Sequence, residues 1–117
     1  MNNLIEGVEL IQLEQFHDER GKVMKMLRID DKHFNKFGEI YFSCIYPGVV
    51  KAWHKHKEMK LNYSCIKGTV KVVLFDDREK SATNGLVNEF VLSPENHSLL
   101  IVPSQVWNGF KGIGIEM

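Results

Sequence analysis

An all-β fold, best matched by a double-sheet jelly roll, is what this chain predicts, on three observations. Apolar and polar residues alternate with period two in segment after segment. Turn-forming pairs punctuate those segments at short intervals. Only residues 30–37, Asp-Asp-Lys-His-Phe-Asn-Lys-Phe, carry a helical pattern, and briefly. Short strands with no helices between them leave a sandwich or a barrel.

The elements follow in order. Residues 8–14 alternate weakly, with Val8, Leu10 and Gln12 on one face. Arg20-Gly21 is a turn, and a strand is expected over 22–27. The alternation is stronger over 40–46, where Ile40, Phe42, Cys44 and Tyr46 share a side. Pro47-Gly48 turns the chain into a strand over 49–56, and another is expected over 60–67. Residues 69–76 are β-prone and apolar on both faces, the pattern of a central strand. Strands at 87–92 and 98–102 lie between turns at Asn84-Gly85, Ser93 to Asn96 and Pro103-Ser104. The run from Gly112 to Met117 reads as the opening of a further strand, so the fold is expected to continue past Met117.

The 117 residues are enough for one domain with one core. Fifteen basic residues balance fifteen acidic ones, which gives no reason to expect nucleic acid or a membrane surface as partner. No apolar run reaches the ~20 residues of a membrane span, and the polar Met1-Asn2-Asn3 start lacks a secretory signal pattern. Cys44 and Cys65 fit no zinc or redox spacing, so both are expected to be buried free thiols in a cytoplasmic protein.

Chemistry concentrates in Gly48-Val49-Val50-Lys51-Ala52-Trp53-His54-Lys55-His56. His54 and His56, two apart on a strand, face the same way, and Lys51 has the opposite parity. Such a pair serves either a metal or proton transfer. Gly48, His54, His56 and Gly68 stand where the cupin superfamily has its glycine, His-x-His and closing glycine, so the chain resembles a cupin. The glutamate that would complete a cupin metal site falls near Lys60 or Leu61, and the second-motif histidine is Asn108. Two histidines beside a lysine make a poor cation site, so no metal is expected.

Within the cupins the chain most resembles the dTDP-4-dehydrorhamnose 3,5-epimerase family. Phe16-His17-Asp18-Glu19-Arg20-Gly21 is similar to that family's Phe-x-Asp-x-Arg-Gly, and Gly48 to His54 to the segment ending on its catalytic histidine. Gly68 to Arg78 with Ser81, Thr83 and Gly85 matches its Asp-x-Arg-x-x-Ser-x-Thr-x-Gly run, the most discriminating of the four. Pro103 to Phe110 resembles its Pro-x-x-x-x-His-Gly-Phe. The departures are Lys51 for an arginine, Lys25 for an acidic residue and Asn108 for a second histidine. The family lysine falls on Lys60 only with one residue inserted before Gly68. The family's tyrosine acid, and the aspartate that partners its histidine, would lie beyond Met117. Residues 1–117 are therefore expected to be a single cupin domain lacking the family's C-terminal strands and helices.

The resemblance implies epimerisation of a nucleotide sugar next to a C4 ketone, with no cofactor. His54 would be the base, since an imidazole accepts protons near neutral pH. Lys60 would stabilise the enolate oxygen. Arg20 and Lys51 would bind the diphosphate, with Arg20 serving the neighbouring subunit of a homodimer. Glu39, His56 and Asn108 would contact the substrate. Tyr41, Tyr46 and Tyr63 could only be improvised acids. Three other functions stay open: a nucleotide-sugar ketoisomerase, a cupin that binds such a sugar without turnover, and a metal-dependent cupin. Simpler structural roles also stand: Arg20 in a solvated turn, Arg78 paired with Asp76 or Asp18, Trp53 and Trp107 as core anchors, and His17, His33 and His97 exposed.

Overall fold

Residues 3–113 are described in a computed structural model, and they contain nine strands and no helix. The strands are β1 (Glu9–Gln12), β2 (Gln15–Asp18), β3 (Gly21–Met24), β4 (Val50–His54), β5 (Leu61–Tyr63), β6 (Thr69–Phe75), β7 (Val87–Leu92), β8 (Ser98–Val102) and β9 (Trp107–Ile113). A three-stranded sheet runs β1-β8-β5, a four-stranded sheet β4-β9-β6-β7, and β2-β3 is a separate hairpin.

The two sheets share one core. In β7 burial alternates strictly, turning Asn88, Phe90 and Leu92 inward. On β6 the buried positions are Val72 and Leu74, which pair with Phe110 and Asn108 of β9. Leu100 and Val102 of β8 join this core with Ile5, Val8 and Val106. All five residues of β8 are buried, because β1 and β5 flank it. Burial of such side chains contributes about 1.5–3 kcal/mol each, which makes this the part of the molecule that holds it folded.

The Asp-x-Arg-x-x-Ser-x-Thr-x-Gly run lies in the β6–β7 connection as a structural clasp. The buried Asp76 carboxylate accepts bonds from Arg78 Nε (2.8 Å), Ser81 Oγ (2.6 Å) and Thr83 Oγ1 (2.7 Å). Arg78 also donates to the Glu6 carbonyl at 2.7 Å, and Thr83 Oγ1 accepts from Glu6 N at 2.9 Å, so the amino-terminal segment is fastened to the turn. The guanidinium, followed by the two hydroxyls, holds the Asp76 carboxyl far below the usual carboxylate range. The expected Arg78–Asp76 pair is thus present.

Several expectations need correction. Residues 40–46 form no strand, and Ile40, Tyr41, Phe42 and Tyr46 are exposed. Their alternation is that of a strand, but no neighbouring strand among the described residues completes its hydrogen bonds. Residues 30–37 make turns and no helix, because so short a run cannot offset helix nucleation. The strands expected at 22–27, 49–56 and 60–67 shorten to β3, β4 and β5, while β2 was not anticipated. Strand β9 was missed as well, since Asn108, Gly109 and Gly112 disfavour a strand in isolation. Packing reverses that preference. A Cβ on Gly109 would come within 2.7 Å of the Ala52 side chain, and one on Gly112 would run into the Tyr46 carbonyl. The Gly112 start of the further strand expected beyond it is the end of β9, and residues 114–117 lie outside those described.

His97, expected in solvent, is fully buried with Nε2 2.6 Å from the Lys25 carbonyl, because the chain around β2 and β3 folds over the start of β8. Cys44 is exposed and Cys65 half-buried, and both thiols are free. Trp53 is 50% exposed and not a core anchor.

Candidate active site

The site is built where the chain passes from the edge of one sheet to the edge of the other. β4 is the edge of the four-stranded sheet and β5 the edge of the three-stranded one, and residues 55–60 join them. The turn into β4 is the expected one: Gly48 has φ of 81°, and Val49 N donates to Tyr46 O at 3.1 Å. A positive φ at the third turn position is what selects glycine there.

A bulge then changes the parity of the strand. Lys51 pairs with Phe110 and His54 with Asn108, so β4 carries one residue more than β9 between these pairs. Directly opposed residues share a face. Phe110 and Asn108 both face Tyr63 of the opposite sheet: the Phe110 and Tyr63 rings meet edge-on at 6.3 Å, and the Tyr63 hydroxyl donates to Asn108 Oδ1 at 2.8 Å. Lys51 and His54 therefore lie on one inward face, although their spacing in the sequence implies opposite faces. The bulge supplies the difference.

Each predicted residue has a definite place. His54 ends β4 and is exposed at the open edge of the sandwich, while its backbone carbonyl accepts from Asn108 Nδ2 at 3.0 Å. His56 is half-buried in the following loop, and its carbonyl accepts from Gln105 N at 2.7 Å. Lys51 Nζ donates to the Cys44 carbonyl at 2.9 Å. Lys60 is exposed immediately before β5. Arg20 sits in the β2–β3 turn, side chain 85% exposed, and pairs with Asp18 at 2.9 Å. Its guanidinium holds the Asp18 carboxyl below the usual range. Glu39 lies exposed in the extended segment before β4. The edge thus gathers Lys51, His54 and Asn108, with His56 and Lys60 on the loop beside it, whereas Arg20 and Glu39 stand on other segments.

Asn108, expected to meet substrate, is 1% exposed and has both ends of its amide engaged within the protein. Tyr63 is the partner of Asn108 from the opposite sheet, a role its sequence position does not announce. Burial, with a smaller contribution from Tyr41, pushes its hydroxyl up to about 12, and its proton is held by Asn108. A donor so committed does not suit the role of an improvised acid. The pattern Leu61-Asn62-Tyr63 already turned this ring toward the side that buries Leu61. Behind β9, Trp107 donates its indole N–H to Asp77 at 2.9 Å, and the Lys55 ammonium lies 4.8 Å from the ring centre, so this tryptophan braces the outer surface.

Among the described residues no group of three or more His, Cys, Asp or Glu side chains is placed to hold a metal ion. A shallow surface depression lined by Asn3 and Ala82 to Leu86 contains none of the predicted site residues.

Residues 2–114 match the sequence profile of the dTDP-4-dehydrorhamnose 3,5-epimerase family. The chain is 39% identical over 114 residues to a probable low-salt glycan biosynthesis epimerase of Haloferax volcanii, covering 96% of this chain and 73% of that protein. It is 33% identical over 111 residues to a spore coat polysaccharide biosynthesis protein of Bacillus subtilis, covering 95% of this chain and 74% of that one. Among solved structures, a dTDP sugar isomerase from Desulfovibrio desulfuricans superposes with a TM-score of 0.93 at 44% identity, over 96% of this chain and 72% of that one. The sandwich is the cupin-type fold of these epimerases.

Proposed function

The chain belongs to the dTDP-4-dehydrorhamnose 3,5-epimerase family and is a nucleotide-sugar epimerase, and we propose that His54 is the base that removes the proton next to the sugar's C4 ketone. The observation that carries this reading is the bulge in β4, which turns His54 and Lys51 onto one face at the open edge of the sandwich.

In this reading the imidazole of His54 accepts the C–H proton, and a cationic side chain balances the charge that gathers on the ketone oxygen. Lys60, exposed on the loop that leads from His54 to β5, is assigned that second task. Lys51, on the same face as His54, and Arg20 take the diphosphate of the nucleotide, while Glu39 and His56 contact the sugar. The substrate class is a dTDP-linked 4-keto sugar, in keeping with the family description.

A homodimer is part of the same proposal. Ile40, Tyr41, Phe42 and Tyr46 expose a run of large apolar side chains that a second subunit would cover, and Arg20 would then reach the neighbour's site. Two free thiols favour a reducing compartment, the cytoplasm. No helix of the described residues is long and apolar enough to cross a membrane.

The test is incubation with a dTDP-4-keto-6-deoxy sugar in deuterated water. Deuterium is expected at the carbons flanking the ketone with the wild-type protein, and to enter about 1,000-fold more slowly with His54→Ala. Binding of the sugar without any exchange by the wild type would replace catalysis with a binding role.

A further inference from the structure

The bonds around Asn108 leave no freedom in their direction. A backbone carbonyl can only accept, so the amide nitrogen of Asn108 must face His54 O, at 3.0 Å. Its oxygen must then face Tyr63, and since that oxygen also only accepts, the Tyr63 hydroxyl donates, at 2.8 Å. The three residues form a one-way chain from Tyr63 through Asn108 to the backbone of His54. It crosses from β5 in one sheet, through β9, to the bulged end of β4 in the other.

That end of β4 is where support is most needed. Among the described residues β4 has a neighbour on one side only, and the register shift between Lys51 and His54 interrupts even that pairing. Asn108, at 1% exposure, supplies a donor where no solvent reaches its amide. Tyr63 is itself fixed by its edge-on contact with Phe110.

We propose that Tyr63 and Asn108 are positioning residues for His54, bracing the bulge so that the imidazole is presented toward the space between the sheets. The proposal rests on the reading of His54 as the base. Neither residue touches the sugar; both act through the backbone that carries the histidine. An amide does not titrate, so the brace holds its direction throughout the range in which an imidazole works. Its outer member keeps its proton too, because burial pushes the Tyr63 hydroxyl up to about 12.

Tyr63→Phe keeps the ring and deletes the hydroxyl; Asn108→Asp keeps the shape and replaces the donor with a second acceptor. Displacement of a reacting group by an ångström costs up to about 100-fold. Tyr63→Phe is therefore expected to lower kcat for solvent exchange about tenfold, with KM within twofold. Asn108→Asp is expected to lower it about 100-fold. In a His54→Ala background Tyr63→Phe should add no further loss. An unchanged kcat in Tyr63→Phe, an effect on KM alone, or an equal loss in the His54→Ala background would overturn the brace. A second readout needs no turnover: the backbone carbonyl and ring resonances of His54, followed by NMR, should move in both variants. If the wild type shows no exchange, the epimerase reading of His54 fails, and these resonances still decide the brace; unmoved signals would sink it.

Discussion

Residues 69–76 and residues 40–46 are written in much the same alphabet, and they end up in opposite states. Thr69–Phe75 becomes the central strand β6, bonded on both sides by β7 and β9, with Val72 and Leu74 in the core. Residues 40–46 run without a ladder, and Phe42 is 80% exposed. Alternation supplies a face, but only a neighbouring strand supplies the hydrogen bonds that make the face a sheet. The same division runs through the described residues: one part, from β6 to β9 with the clasp, supplies most of the core, and the other, from residue 25 through β4, is mostly exposed. The first part holds the fold, and the second carries the candidate chemistry.

The sharpest way to break that division is to change one residue on each side of it. His54→Ala should cut deuterium exchange into a dTDP-4-keto sugar about 1,000-fold while leaving the thermal midpoint nearly unmoved, read by NMR and by calorimetry on one sample. A large fall in midpoint would make His54 part of the scaffold. Leu74→Ala, at 0% exposure, should cost about 3 kcal/mol in urea unfolding, whereas Phe42→Ala should stay within about 0.5 kcal/mol in the monomer. Equal costs would mean that 40–46 is as well packed as β6.

The clasp gives a further test of the closed part. Asp76→Asn replaces the carboxylate that Arg78, Ser81 and Thr83 bind, and should cost about 2–3 kcal/mol at neutral pH. Because the folded carboxyl lies below its ordinary value of 3.8, Asp76 contributes in full above pH 3.8. Its contribution shrinks as the pH drops below that value and is gone once pH falls through the folded value. Unfolding curves taken from about pH 5 to about pH 2 should therefore show wild type and variant converging; a constant gap would deny the linkage. An effect smaller than that of Leu74→Ala, about 1–2 kcal/mol, is expected for Gly112→Ala. Its new methyl would push on the Tyr46 carbonyl and loosen the turn into β4, detectable as faster amide exchange at Gly48.

Much of this was legible in the sequence, and the rest was hidden for stated reasons. The all-β class, β6, β7, β8 and the Pro47-Gly48 turn follow from period and turn chemistry, which are local. Asp76 is one of the two partners that the sequence offers Arg78, and the structure selects it over Asp18. The burial of His97 is not legible in its local sequence, because the groups that bond it, Leu13 and Lys25, lie more than seventy residues away in the chain. The motif position of Asn108 suggests a substrate contact, and nothing nearby in sequence announces Tyr63 as its partner.

By itself, then, the sequence determined the class of fold and the family, and it singled out His54 as the candidate base, since each is carried by motif and period. Tertiary structure decided which apolar stretches became strands, which glycines sit under another backbone, and which way β4 turns its side chains. Those outcomes depend on partners distant in the chain, and a single inserted residue in one strand reverses the face that spacing alone assigns to Lys51 and His54.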